Sequence, residues 1–194
     1  MQGDIMMFLR SWAAEPLRVG AIAPSGSSLA EIITREITPA TGQVIELGPG
    51  TGVFTEKLIE RGVRLQDLTL IEYGSEFAIH LQTRFPGVRV LWMDAARLKT
   101  ADLGAKAPAG AVVSGLPLLG MPTRKVMSIL SGAFTHLRPG GAFYQFTYAG
   151  RCPVPRPILD RLGLKATLVD HTLRNIPPAS VYRITRRRAW HNLV

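Results

Sequence analysis

The chain lacks the residues that several kinds of site require. Cys152 is its single cysteine, which excludes an internal disulfide and a cysteine-cluster metal site. The four histidines show no ligand spacing, so we expect no metal. No run of 18 apolar residues is free of turn formers, and the sequence therefore predicts no transmembrane helix. The amino terminus lacks the basic region of a signal peptide, which favours a cytoplasmic location.

Acidic residues are also scarce. The 194 residues include 14 Asp and Glu against 23 Lys and Arg, which gives a net charge of +9. Residues 151–194 hold nine of the basic residues and only two acids. Such a surface favours anionic partners such as nucleic acid or anionic lipid. The mean hydropathy of +0.15 is high for a nucleic-acid binder and favours a membrane surface. With 46% hydrophobic residues, the chain can form one globular domain over residues 1–194.

Short apolar runs alternate with segments of helical periodicity, which is typical of βαβ units and a parallel sheet. Ser28 and Glu31 form the pattern of a capping box at the start of a helix. Residues 139–141 (Pro-Gly-Gly) predict a turn before the fifth strand. The two last strands are expected to be antiparallel, since little separates them. The predicted strands are 43–47, 68–71, 88–92, 111–113, 142–148, about 164–170 and 181–186, and the main helices are 53–60, 75–85 and 123–137.

Residues 1–13 predict a short amphipathic helix that Asp4 can cap and that Pro16 ends. Its apolar residues cover more than one face. Two interpretations remain open: a helix packed on the domain, or a membrane-associating helix that lies in the lipid interface.

A glycine loop follows the first predicted strand, with the spacing Gly48-x-Gly50-x-Gly52. It departs from the dinucleotide fingerprint, and Pro49 has no N–H to offer a phosphate, so the loop suits a nucleoside ligand without phosphates. An acidic residue lies at the end of each of the next two predicted strands. Glu72 stands where an acid binds ribose hydroxyls, and Asp94 can accept from an exocyclic amine such as that of adenine. The alternative for both acids is a helix N-cap.

The motifs ELGPGTG (46–52), IEYG (71–74) and MDAARL (93–98) resemble those of class I S-adenosylmethionine-dependent methyltransferases. The resemblance implies a Rossmann-like, seven-stranded, mostly parallel sheet with an antiparallel last strand and helices on both faces. It implies S-adenosylmethionine as cofactor and S-adenosylhomocysteine as product. It also implies that Glu46 lies near the methionine part. The implied cofactor-binding residues are Glu46, Gly48, Gly50, Thr51, Gly52, Glu72, Tyr73, Asp94, Ala95 and Ser114.

The segment VVSGLPLL (112–119) bears on the methyl acceptor. Adenine-specific nucleic-acid methyltransferases of this fold carry a polar residue and a stacking aromatic where Ser114 and Leu118 stand, so a flipped base is poorly supported here. Together with FLRSWAAEPLRVGAIAPSGSSLA (8–30) and NIPPASVYR (175–183), the segment resembles bacterial phosphatidylethanolamine N-methyltransferases. This resemblance implies methylation of phosphatidylethanolamine, up to three times, towards phosphatidylcholine. The enzyme would be bound peripherally to the inner face of the cell membrane.

The candidate catalytic groups are those that could aim an amine. They are the main chain of Ser114, Gly115 and Leu116 and the hydroxyls of Tyr144 and Tyr148. The two tyrosines share one strand face, although both could be core residues. The candidate substrate-binding residues are Pro24, Ser25, Asn175, Tyr182 and Arg183.

Arg183 is a candidate for the lipid phosphate, with a solvated strand-edge arginine as the alternative. With residues 186–188 it is also expected to respond to anionic lipid. Two rival functions remain: a ribosomal RNA adenine N6-methyltransferase, and a catalytically silent protein of this fold that binds membrane or RNA.

Overall fold

The computed structural model describes residues 23–104, 107–173 and 177–187. The predicted helix 1–13 and residue Asn175 lie outside the described residues. The helices are α1 Ala23–Ile33, α2 Val53–Glu60, α3 Ser75–Arg84, α4 Thr123–His136 and α5 Arg156–Arg161. The strands are β1 Val44–Leu47, β2 Leu68–Glu72, β3 Arg89–Trp92, β4 Ala109–Ser114, β5 Leu137–Thr147, β6 Leu164–Thr172 and β7 Ala179–Arg186. No described helix is long and apolar enough to cross a membrane.

The seven strands form one sheet in the order β3-β2-β1-β4-β5-β7-β6. Strands β1 to β5 are parallel to one another, and β7 is antiparallel to both β5 and β6. The predicted fold class is therefore confirmed. The strand order reverses between β1 and β4, and ligands of open α/β sheets bind at the carboxyl ends of the strands beside such a point.

The central strands are buried because helices cover both faces of the sheet. Every residue of β1, β2 and β4 is buried. One face packs on α4 and α5, and the other packs on α1, α2 and α3. This two-sided burial explains why these strands are continuous apolar runs rather than alternating ones.

Two local predictions are corrected. Helix α1 begins at Ala23, so Ser28 lies inside the helix and the pair with Glu31 does not cap its start. Proline in the first turn suits this earlier start, because the first N–H groups of a helix have no partner within it. Strand β5 begins before the predicted turn: Leu137 pairs with Ala109, and the register then shifts. The residues 138–141 are an irregular insertion within the strand, not a turn before it.

Candidate functional site

A cavity of about 300 Å³ lies at the carboxyl ends of β1, β2, β3 and β4. Its described lining residues are Gly48, Gly50, Ile71, Glu72, Tyr73, Gly74, Phe77, Met93, Asp94, Ala95, Gly115, Leu116, Pro117, Met121, Lys125 and Ile129. A second cavity of about 360 Å³ lies at the opposite, amino ends of β1 and β4. Only the first lies where parallel sheets bind ligands, and six of the predicted cofactor residues line it: Gly48, Gly50, Glu72, Tyr73, Asp94 and Ala95.

The glycine loop needs glycine at each of its three positions. Gly48, Gly50 and Gly52 have φ values of +67°, +56° and +88°, which L side chains rarely adopt. A Cβ at Gly52 would lie 2.5 Å from the Phe85 ring, and one at Gly48 would lie 2.7 Å from Leu116. A Cβ at Gly50 would meet nothing within 4 Å, so its backbone is open to the cavity.

Glu72 ties the glycine loop to the end of β2. Its Oε2 accepts from the Gly50 N–H at 3.1 Å, and its Oε1 accepts from the Gly74 N–H at 2.8 Å. The N-cap of α3 is Gly74, so the alternative of Glu72 as an N-cap is wrong. Because each carboxylate oxygen can accept more than one hydrogen bond, Glu72 retains capacity for hydroxyls in the cavity.

Asp94 does cap a helix, as the alternative held, and it lines the cavity as well. Its Oδ1 accepts from the Ala96 N–H at 2.9 Å at the start of a 3₁₀ helix, Ala95–Thr100. Its Oδ2 lies 2.9 Å from Lys125 Nζ. Burial opposes ionisation of Asp94, but the Ala96 N–H and the Lys125 ammonium outweigh it and lower the pKa of this carboxyl. Asp94 is therefore an ionised acceptor at the end of β3.

Glu46 lies on β1 beneath the loop and is not among the residues that line the cavity. It is fully buried, and its Oε2 accepts from the Thr55 hydroxyl at 2.7 Å. Its Oε1 has no hydrogen-bond partner among the described residues. Burial is the main cause that raises the pKa of Glu46 to about 8, and nearby Glu72 adds to the rise. This carboxyl is neutral at pH 7.

The segment after β4 forms the apolar wall of the cavity with Leu116 and Pro117. A Cβ at Gly115 would lie 2.5 Å from the Gly48 carbonyl oxygen, so the two loops touch through their backbones. The fully buried Ser114 accepts from the Leu116 N–H through its Oγ at 3.3 Å. The predicted catalytic segment and the predicted cofactor loop are therefore brought together.

Gln145 is a residue that sequence reasoning missed. It pairs with Ser114 in the sheet, and its Nε2 donates to the Leu116 carbonyl at 2.9 Å. The side chain is buried, and its Oε1 has no partner in the part of the chain that the structure describes. A single amide within the apolar strand FYQFT was the available signal, because a buried polar group in a strand needs a specific partner.

The structure does not bring Tyr144 or Tyr148 to the cavity. Tyr144 packs on the face of the sheet that α1 covers, whereas the Ser114 side chain lies on the other face. The Tyr144 hydroxyl donates to Glu36 Oε2 at 2.9 Å. Tyr148 packs on that same face, with its ring 5.3 Å from that of Phe146. The shared face is confirmed, but the role in methyl transfer has no support from this placement.

The predicted substrate residues are dispersed. Arg183 lies 3.3 Å from Glu36 Oε2, beside Tyr144. Tyr182 on β7 is paired with Gln145 on β5, and burial is the main cause that raises the pKa of its hydroxyl. Residues 24 and 25 lie in the first turn of α1, and nothing is described of their side chains.

Two of the arginines expected to meet anionic lipid have partners within the domain. Arg186 Nη2 donates to the Phe134 carbonyl at 2.8 Å, and the guanidinium lies over the Phe134 ring at 5.5 Å. Arg187 donates to the Leu164 carbonyl at 2.9 Å and pairs with Asp160. Their charges are therefore less available to a membrane than the sequence suggested, and residue 188 lies outside the described part.

The fold matches that of one class of proteins of known structure. The chain has the fold of the class I S-adenosylmethionine-dependent methyltransferases. It resembles the glycopeptide N-methyltransferase MtfA in complex with S-adenosylmethionine with a TM-score of 0.64 and 14% identity, over 86% of this chain and 96% of that one. It resembles a TehB-like methyltransferase from Corynebacterium glutamicum with a TM-score of 0.61 and 14% identity, over 96% of this chain and 100% of the other. MtfA is also known with sinefungin and with S-adenosylhomocysteine, which agrees with the predicted cofactor.

Two sequence matches are to enzymes that are named for different methyl acceptors. The ribosomal RNA adenine dimethylase family model matches residues 27–105. An ornithine lipid N-methyltransferase of Singulisphaera acidiphila is 29% identical over 193 residues, which cover 92% of this chain and 94% of that protein. The first match ends before β4, and the second includes the segment after β4.

Proposed function

We propose that this chain binds S-adenosylmethionine in the cavity at the carboxyl ends of β1 to β4 and methylates the primary amine of a membrane lipid. Phosphatidylethanolamine is the proposed substrate, with methylation towards phosphatidylcholine. One observation carries the proposal: the wall that Leu116 and Pro117 form is aliphatic and adjoins the glycine loop. The acceptor would thus meet an apolar surface where a base would need an aromatic platform.

The residues of the cavity fit the cofactor. Gly50 leaves open space over its backbone, Glu72 has acceptor capacity for ribose hydroxyls, and Asp94 has it for the adenine amine. When bound, the cofactor supplies a methyl group on a cationic sulfonium. This cofactor has no phosphate group. The loop of residues 46–52 agrees with this, because Pro49 has no N–H to offer a phosphate and the loop contains no lysine.

The amine of the lipid must reach the cavity as a free base. Loss of water and a nearby positive charge lower the pKa of an ammonium, which releases its proton before transfer. The bound cofactor would supply its methyl group to this free amine with the thioether of S-adenosylhomocysteine as the leaving group, and the methylated nitrogen would lose its second proton to solvent. The backbone of Ser114, Gly115 and Leu116 is the proposed guide for that nitrogen. Gln145 holds this backbone by donating to the Leu116 carbonyl.

The extent of the two sequence matches supports a lipid over an RNA. The RNA dimethylase match is limited to residues 27–105, the part of the chain that would bind most of the cofactor. The match to the ornithine lipid enzyme runs through the acceptor segment. Leu118, where an RNA enzyme would carry its stacking aromatic, is buried in the core. Ornithine lipids and phosphatidylethanolamine both present an amine on a lipid headgroup, so both belong in the test.

We further propose that the chain acts while bound peripherally to the inner face of the cell membrane. The apolar residues of segment 1–13 and the excess of basic residues support this proposal. Because Arg186 and Arg187 have partners in the domain, the proposed role of segment 1–13 becomes larger than that of the C-terminal arginines.

The deciding experiment presents three acceptors to the full-length protein with methyl-labelled S-adenosylmethionine. They are phosphatidylethanolamine vesicles, ornithine lipid vesicles and RNA transcripts. We expect label in phosphatidylethanolamine, and loss of that label in Glu72→Ala. Label in ornithine lipid alone would correct the substrate, and label in RNA alone would favour the RNA enzyme. Absence of label with intact S-adenosylhomocysteine binding would favour the catalytically silent protein.

A further inference from the structure

Lys125 is the one cation among the described residues that line the cavity. It belongs to the first turn of α4 and reaches across to the ends of β2 and β3. Its Nζ lies 2.9 Å from Asp94 Oδ2 and 5.9 Å from the centre of the Tyr73 ring. The Lys125 and Asp94 side chains are 39% and 30% exposed, so both contacts occur at the mouth of the cavity.

These contacts fix the carboxylate of Asp94 from two sides. The Ala96 N–H binds Oδ1, and the Lys125 ammonium binds Oδ2. Removal of Lys125 would leave one of the two oxygens without its partner and free the side chain to rotate about the remaining bond. An ionised, fixed carboxylate accepts hydrogen bonds and repels other acceptors, so it distinguishes an amino group from a carbonyl oxygen.

We propose that Lys125 is a positioning residue that gives the cavity its preference for a base with an exocyclic amine, by holding Asp94 as a fixed acceptor. This inference rests on the proposed function, since it assigns the base of the cofactor to the Asp94 side of the cavity. Lys125 itself does not contact the base. It acts through Asp94, and it also covers the Tyr73 ring.

The test compares two ligands that differ only at the base. S-adenosylhomocysteine carries an amine at that position, and S-inosylhomocysteine carries a carbonyl oxygen. Calorimetry on the full-length protein should show a clear preference of the wild type for S-adenosylhomocysteine. In Lys125→Met the ratio of the two affinities should fall by about fivefold to tenfold. This is less than the loss of a whole charged hydrogen bond would cause, because Asp94 itself remains. Lys125→Arg, which keeps the charge, should restore most of the ratio.

Arg124→Met is the matched control, because it removes the same charge from the neighbouring, exposed position of α4. It should leave the ratio unchanged. Equal weakening of both ligands in Lys125→Met, or no change in either, would overturn the proposal, as would a wild type that binds both equally. If the wild type binds neither ligand, the proposed function itself is wrong. Should Lys125→Met fail to fold, Lys125→Gln gives the same comparison.

Discussion

The buried carboxyl of Glu46 makes the stability of the domain dependent on pH. It is fully buried, and none of the residues that the structure describes offers its Oε1 a hydrogen bond. Burial, more than the charge of Glu72, raises its pKa from 4.5 to about 8. The perturbation we select is Glu46→Gln, which keeps the shape of the side chain and the acceptor for Thr55 but cannot ionise.

The sign and size of the effect follow from proton linkage. Between pH 4.5 and pH 8 the unfolded chain releases the Glu46 proton, while the folded chain keeps it. Unfolding is therefore favoured as pH rises, by up to about 1.4 kcal/mol per pH unit. From pH 5 to pH 7.5 the contribution of Glu46 to the free energy of unfolding should fall by on the order of 3 kcal/mol. The stabilisation is present in full below pH 4.5 and is lost as pH passes through about 8.

Urea unfolding of the full-length chain at pH values from 5 to 8 measures this slope. In Glu46→Gln the free energy of unfolding should fall less steeply with pH than in the wild type, whatever its absolute value. Glu76→Gln removes an exposed acid from α3 and should keep the wild-type slope. Parallel pH profiles of Glu46→Gln and wild type would refute the assignment of a neutral carboxyl to Glu46.

Three further predictions test the loop, the strand-five amide and the amino terminus. Glu72→Ala removes the acceptor for the ligand and for two backbone N–H groups, and should weaken S-adenosylhomocysteine binding by about 1.5–3 kcal/mol. An unchanged affinity for S-adenosylhomocysteine, measured by calorimetry on a folded variant, would contradict this prediction. Gln145→Leu removes the side-chain donor to the Leu116 carbonyl, which keeps the Leu118 N–H as a donor, and should lower the free energy of unfolding by about 0.5–1.5 kcal/mol in urea. Equal stability would show that the bond is dispensable. Deletion of residues 1–13 should greatly reduce salt-sensitive sedimentation with anionic vesicles and retain S-adenosylhomocysteine binding; equal sedimentation would make that segment a packing element.

The order of strands and helices could be predicted from the sequence because it depends on local patterns. Short, mainly apolar runs indicated the buried strands, and the spacing Gly48-x-Gly50-x-Gly52 indicated the loop. The acids at the ends of β2 and β3 could also be placed, since consecutive parallel strands end at one edge of the sheet. Glu72 and Asp94 both line the cavity that this edge forms.

The sequence by itself determined this alternation, the glycine loop and the edge at which its acids meet, all of which follow from residues near one another in the chain. The partners of the side chains were decided by the tertiary structure. Lys125 reaches Asp94 across 31 positions, and Gln145 reaches the Leu116 carbonyl across 29. Because side chains alternate along a strand, Tyr144 and Tyr148 could be assigned to one face. Only the sheet register and the packing of α1 determine that this face is opposite to that of the Ser114 side chain. The alternation of side chains along a strand determines which of them share a face. The contacts that each face makes depend on elements that are distant in the chain.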